Sequence, residues 1–224
     1  VTASGAGEVI DYPDFGDVTG WQLNGAAAQA GGVLRLTPAV EQVAGSAFYT
    51  TPLSLGAGDS FSARFDFRVH GAADGGDGMA FILQGNGPGS LGALSNGLGY
   101  EGIGASLAVE IDTREKWGGT DPDGNHLAVL ENGDVTDHRV VHTPAFGLED
   151  GAVHTLWVDC DGASATLAVY LAQAPGGAKP ASPVLTYGVD LPALLGGEAY
   201  VGFTAATGAK VNNHDLEGFS LSTR

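Results

Sequence analysis

The chain has 224 residues, with 26 acidic against 9 basic side chains and a formal net charge of −17. A surface this negative is repelled by nucleic acid and by anionic lipid, which argues against both as partners. No run approaches the ~18 apolar residues of a membrane span and the N-terminus lacks a basic-then-apolar signal segment, so a soluble domain or mature fragment without membrane insertion is expected.

The 43% hydrophobic content and 37 glycines imply many turns around a real core. A chain of this length can bury roughly 70% of its unfolded surface. Residues 8–15 (EVIDYPDF) and 33–37 (VLRLT) read as short strands separated by a Gly/Ala-rich connection. Strands are expected next at 47–50 and 60–69. In the latter, Phe61, Ala63, Phe65, Phe67 and Val69 alternate with polar partners. Further strands are expected at 79–83, 106–112, 126–130, 139–142, 154–159, 166–171, 184–187, 200–205 and 218–222. Only 191–195 suits a helical turn. Leu156, Val158 and Cys160 share one face, so the single cysteine belongs to the core, and alone it forms no internal disulfide. Many short strands with turn signals between them, and no linker or repeat, predict an all-β fold: a two-sheet antiparallel β-sandwich in one domain spanning 1–224.

The chemistry concentrates in SLAVEIDTREKWGGTDPDGNHLAVLEN, residues 106–132. Leu107, Val109 and Ile111 alternate with Ala108, Glu110 and Asp112, which puts the two carboxylates on one strand face roughly 7 Å apart. Nine residues later Asp121-Pro122-Asp123-Gly124 signals a type I turn, and His126 opens the next strand. Glu110, Asp112, Asp121 and His126 therefore converge, a donor set that suits manganese, calcium or zinc. Two other loop motifs fail on context. Gly85-x-Gly87-x-Gly89 opens no helix, and the acidic loop from Asp121 has His126 where an EF-hand needs glycine.

This spacing resembles the metal loop of the legume-type (L-type) lectins, where Glu-x-Asp on a strand precedes Asp-Pro and a His that opens the next strand. Three more stretches are similar in order: Gly76-Asp77-Gly78-Met79-Ala80-Phe81, Gly97-Leu98-Gly99-Tyr100, and Val201 to Gly208 followed by His214-Asp215. The resemblance covers essentially the whole chain and implies a legume-lectin-like jelly roll with a sugar site in loops above the concave sheet. It implies a manganese ion and a calcium ion side by side, with Glu110, Asp112, Asp121, His126 and the Arg114 carbonyl as ligands. It implies sugar contacts from Asp77, whose preceding peptide is cis in the family, from the Asn96 or Gly97 amide, and from the loop carrying Ala209 and Lys210. Trp117 or Tyr100, each in an expected exposed loop, could stack on the sugar; Phe203 and Phe219 read as core. Glycans or glycoconjugates are the implied partners, an extracellular or cell-surface (secreted) protein the implied setting, and a homodimer through sheet edges an accompanying expectation.

One residue departs from the pattern. Where the family has a calcium-binding asparagine, four positions after Asp112, this chain has Lys116. The calcium half is thereby thinned, and a single tightly held ion on the Glu110/His126 side is expected. Two other readings share the sandwich. Glu110-Ile111-Asp112-Thr113-Arg114-Glu115 matches the Glu-x-Asp-x-x-Glu of retaining β-glucanases, where Glu110 and Glu115 would be nucleophile and acid/base ~5–5.5 Å apart. On a regular strand those two face opposite ways, and tryptophans at 21, 117 and 157 line no cleft. A structural or adhesive domain without sugar binding is the third.

Overall fold

The computed structural model describes residues 7, 9–116 and 121–224, so Trp117 lies outside the described residues. Two eight-stranded antiparallel sheets face each other. The back sheet runs β14 (Leu185–Gly188), β13 (Thr166–Ala172), β12 (His154–Asp161), β7 (Phe61–His70), β16 (Asn213–Thr223), β4 (Val33–Thr37) and β3 (Ala28–Ala30), with β1 (Val9–Tyr12) also on β16. The site sheet runs β11 (Val140–His142), β10 (His126–Glu131), β9 (Ser106–Asp112), β8 (Gly78–Gln84), β15 (Glu198–Ala206), β5 (Ala44–Tyr49) and β2 (Trp21–Gly25), with β6 (Leu53–Ser54) paired to β15. Among the described residues the one α-helix, α1, is the turn Leu191–Leu195, capped by the Asp190 carboxylate and with Pro192 in its first turn.

The alternation of β7 has the expected consequence. Phe61, Ala63, Phe65, Phe67 and Val69 all enter the core between the sheets and meet Met79, Phe81, Leu107, Val109, Ile111 and Phe203 from the other side. Phe65 stacks on Phe81 at 5.8 Å, and Phe203 stands edge-on to both Phe65 and Phe219. Cys160 is buried there, and burial pushes its thiol up to about 11.

Several expected boundaries shift, among them those of the first and the last strand. The strand expected over 8–15 is Val9–Tyr12, because Pro13 cannot donate to the ladder and the Asp14 carboxylate turns the chain by accepting from Gly16 N at 2.8 Å. The closing strand is longer than expected, and its register slips at His214/Asp215 against β4 and at Leu216/Gly218 against β7.

A second, smaller core lies on the outer face of the site sheet. Ala80, Ile82 and Ala108 from the strands pack there with Leu98, Tyr100, Ile103 and Val135 from the loops. The loops after β8 and β10 therefore fold down onto the sheet, and they roof the functional residues.

Candidate functional site

Glu110 and Asp112 project from β9 onto this roofed outer face. The strand register sets Ala80 and Ala128 opposite Glu110, and Gly78 and His126 opposite Asp112. Directly opposed residues share a face, so the alanines and the glycine leave the volume that the acids and rings occupy. Glu110 is 2% exposed, Asp112 6% and His126 fully buried.

Glu110 has a close neighbour at each oxygen. The Tyr100 hydroxyl donates to Oε2 at 2.7 Å, while His126 Nε2 lies 3.2 Å from Oε1. Tyr100, expected in an exposed loop as a stacking ring, is instead fully buried, because its loop closes over the sheet and its ring joins the smaller core. Burial alone would raise the Glu110 carboxyl, but the contacts from His126, His138 and Tyr100 outweigh it and hold the carboxyl below its ordinary value. Asp112 goes the other way. Burial, then the neighbouring Glu110 charge, push it well above the carboxylate range. Burial likewise raises Asp121, against a hydrogen bond from the Lys116 amide.

Three donors, Glu110, His126 and His138, have ligating atoms within 4.8 Å of one another. His138, from the loop between β10 and β11, had no place in the sequence-derived site. Its Nε2 sits 3.1 Å from Glu110 Oε1 and 3.8 Å from Asp121 Oδ1. The only sequence signal was a valine and a histidine three apart, Val135 and His138, in an otherwise polar hairpin loop. The other expected ligands turn toward the backbone of the 113–116 loop. Asp112 Oδ1 accepts from Arg114 N at 2.7 Å, and Asp121 Oδ2 accepts from the Lys116 amide. Glu115 lies beyond the strand end and is exposed, whereas Glu110 is enclosed among Tyr100, His126 and His138.

Asp77 lies beside this cluster, at the start of β8. The Gly76–Asp77 peptide is cis. Its backbone is fastened to both neighbouring strands: Asp77 N donates to Ala206 O at 3.0 Å, and Thr113 donates to Asp77 O through its amide and hydroxyl. The side chain is buried, and Oδ2 has no hydrogen-bond partner. Burial raises this carboxyl, opposed by the Ser95 hydroxyl and the Arg114 charge. Gly208 packs so tightly here that a Cβ would fall 2.5 Å from Ser95 Oγ and 2.9 Å from Asp77 Oδ2. The short 3-10 turn Ser95–Gly97 thus stands against the 207–212 loop. The Gly97 amide is spent within that turn, donating to Leu94 O at 3.2 Å, while Asn96 is half-buried, Ala209 is exposed and Lys210 pairs with Asp74. A polar cleft of about 660 Å³, lined by Asp74, Thr113, Arg114, Glu115, Lys116 and Glu149 among others, adjoins Thr113.

The family model for the legume lectin domain matches residues 10–224. The chain is 33% identical over 221 residues to an L-type lectin-domain containing receptor kinase S.7 of Oryza sativa subsp. japonica, covering 87% of this chain and 31% of that protein. It is 32% identical over 197 residues to the seed lectin of Styphnolobium japonicum, covering 80% of this chain and 64% of the lectin. The chain thus spans less than two thirds of each of these relatives. Among solved structures, the Bauhinia forficata lectin in complex with GalNAc superposes with a TM-score of 0.85 at 24% identity, covering 98% and 99% of the two chains. The metal-free form of Griffonia simplicifolia lectin I-B4 superposes with a TM-score of 0.83 at 22% identity, covering 97% and 99%. With a family match over nearly its full length, on a sandwich of the same architecture, this chain belongs to the legume lectin domain family.

Proposed function

We propose that this chain is a metal-dependent carbohydrate-binding domain without catalysis, recognising extracellular glycans at the loops around Asp77. The observation that carries the reading is the unpartnered, buried Oδ2 of Asp77 beside Gly208 and Ser95. An acceptor left unsatisfied in this way costs on the order of 1–3 kcal/mol, and a sugar hydroxyl is a donor of the right size to satisfy it. The Asn96 amide is the candidate second contact, since Gly97 N is already bonded, and Ala209 with Lys210 form the wall that varies sugar preference. Galactose and GalNAc, bound by structural neighbours, are the natural first probes.

The residues fit a divalent ion. Glu110 Oε1 faces two ring nitrogens, and the cluster holds no arginine or lysine side chain among the described residues. Glu110, Asp121 and His126 would hold the manganese-type ion. Asp112, Asp121 and the Arg114 carbonyl would hold calcium, the half that Lys116 weakens. A bound ion would supply the positive charge that lets these buried carboxylates coexist and would tie residues 113–116 to Asp121 beside Asp77.

Asp77→Ala removes the acceptor without touching the core. Glycan binding, measured on an array and by calorimetry with divalent ions present, should fall below detection while the circular dichroism spectrum is unchanged. Undiminished binding would place the sugar elsewhere.

A further inference from the structure

We propose that His138 is itself a metal ligand, so that Glu110, Asp121, His126 and His138 form one N₂O₂ site that selects a borderline transition ion such as zinc over calcium. This rests on the metal-binding reading above and adds to it a residue and a selectivity. The first observation is the tautomer of His126. Its Nδ1 lies 2.9 Å from the Asp123 carbonyl, an acceptor only, so Nδ1 carries the hydrogen and donates it. In the neutral ring Nε2 is then a bare lone pair, yet it points at the lone pairs of Glu110 Oε1 3.2 Å away. A backbone acceptor on one ring nitrogen is the usual support for a histidine whose other nitrogen ligates a metal.

The second observation is His138. Its side chain is 8% exposed, and its Nε2 is buried with no hydrogen-bond partner, although it stands 3.1 Å from the same Glu110 oxygen. A nitrogen that close without hydrogen-bonding geometry is aimed at the space beside the oxygen. Tyr100 already occupies Glu110 Oε2, which leaves Oε1 as the oxygen common to both rings. Bonds of about 2.1 Å meeting at 90–110° put neighbouring ligand atoms roughly 3.0–3.4 Å apart. The two observed separations, 3.2 and 3.1 Å, fall within that interval. Asp121 Oδ1, 3.8 Å from His138 Nε2, can close the set with a small rotation.

Selectivity follows from the donors. Calcium takes six to eight oxygens, whereas imidazole nitrogen suits zinc and its transition-metal neighbours. A second imidazole removes a place that water or carboxylate oxygen would otherwise fill, and Asp112 is drawn off to the Arg114 amide. The site is therefore built for one nitrogen-ligated ion.

The test uses the intact chain, stripped by chelator and titrated with zinc, manganese and calcium separately against a chromophoric competitor, for the parent and His138→Gln. The parent should bind one zinc ion at least a hundredfold more tightly than calcium. The variant should lose about tenfold or more in zinc affinity, with a smaller loss for manganese, so that the zinc-to-manganese ratio falls. X-ray absorption on the zinc-loaded parent should count two imidazoles, a reading that does not depend on the variant folding. Equal zinc affinity and ratio in the two proteins, or one imidazole in the absorption spectrum, overturns the His138 assignment and leaves the metal site standing on Glu110 and His126. Failure of all three ions to bind the parent overturns the metal reading together with it.

Discussion

Two buried histidine–carboxylate clusters sit on opposite sheets, and they are wired differently. On the back sheet, Asp215 receives a bidentate pair from Arg35, both bonds 2.7 Å, and a third contact from His70 at 2.9 Å; its neighbour His214 is held at Nδ1 by the Thr37 hydroxyl, 2.7 Å away. Every oxygen of Asp215 has a partner, and despite burial its carboxyl lies below the ordinary value because Arg35 and His70 stabilise the charge. On the site sheet, Glu110, Asp112 and Asp121 share two imidazoles and no arginine or lysine side chain among the described residues, and two of the three carboxyls are pushed up. In the first cluster the carboxylate is satisfied within the protein, by Arg35 and His70, although His214 Nε2 is buried without a hydrogen-bond partner. The second is short of positive charge, the condition a divalent cation relieves. Burial and histidine content do not separate the two; charge balance does.

Acid should break the comparison most visibly, and it should do so on the back sheet. His214 is fully buried, and burial lowers its proton affinity from 6.5 to about 3, with the charges of Asp215 and His70 as lesser, opposing influences. The unfolded chain takes up a proton as pH falls through 6.5 while the folded chain does not, so stability is lost from there down to about pH 3 and nothing is contributed above 6.5. At 1.36 kcal/mol per unit the loss approaches roughly 4–5 kcal/mol. Urea unfolding at pH 7, 5.5 and 4.5, in excess chelator so that metal release does not contribute, should give a steep slope for the parent and a shallower one for His214→Gln. Equal slopes would mean that His214 protonates within the folded state.

Asp215→Asn comes next. It leaves Arg35 and His70 without their carboxylate, and disrupting such a pair costs about 3 kcal/mol. Chemical denaturation should record that loss while metal and glycan affinities stay at parent values, since the cluster lies on the other sheet. A change in metal affinity would show the two clusters to be coupled.

Stripping the ion probes the opposite side. An ion present at a hundred times its dissociation constant stabilises by about 2.7 kcal/mol, and for a domain of this size each kcal/mol moves the melting point by about 2–4 °C. Chelator should lower the melting temperature by roughly 5–10 °C, with recovery on adding zinc or manganese. A melting curve indifferent to chelator in a verified metal-free sample would count against the site.

The contrast also explains what the sequence made visible. Period-two alternation marked β7 and β9 because each has one face in the main core, and the same alternation brought out Glu110 and Asp112 as acids on the opposite face. The helical turn at Leu191–Leu195 was legible from its leucines. The strands Trp21–Gly25 and Ala28–Ala30 were not, since both lie in the Gly/Ala-rich stretch, and β3 is an exposed edge without alternation. Tyr100 and His138 were misread or missed for one common reason. Each sits in a loop, and loop residues carry no periodicity to say whether the loop stands away from the sheet or folds back over it. Here both loops fold back, and they deliver two of the three side chains that engage Glu110, His126 from β10 being the third.

The smallest effect belongs to Lys116, where the chain departs from its family. Its backbone amide donates to the Asp121 carboxylate, so the residue serves the cluster through its main chain whatever its side chain does. Lys116→Asn keeps that amide, removes one positive charge from the cleft and offers an amide oxygen suited to calcium. One charge a few ångströms from an ion in well-hydrated surroundings is worth about 1 kcal/mol. Calcium affinity, measured by calorimetry on zinc-loaded protein, should therefore rise roughly fivefold, and zinc affinity should stay as it was because none of its proposed ligands changes. A rise in both would mean that the lysine repels any cation on this face. No rise in calcium affinity would mean that its head group is turned to solvent and that the calcium half is limited by Asp112, whose oxygen is committed to the Arg114 amide.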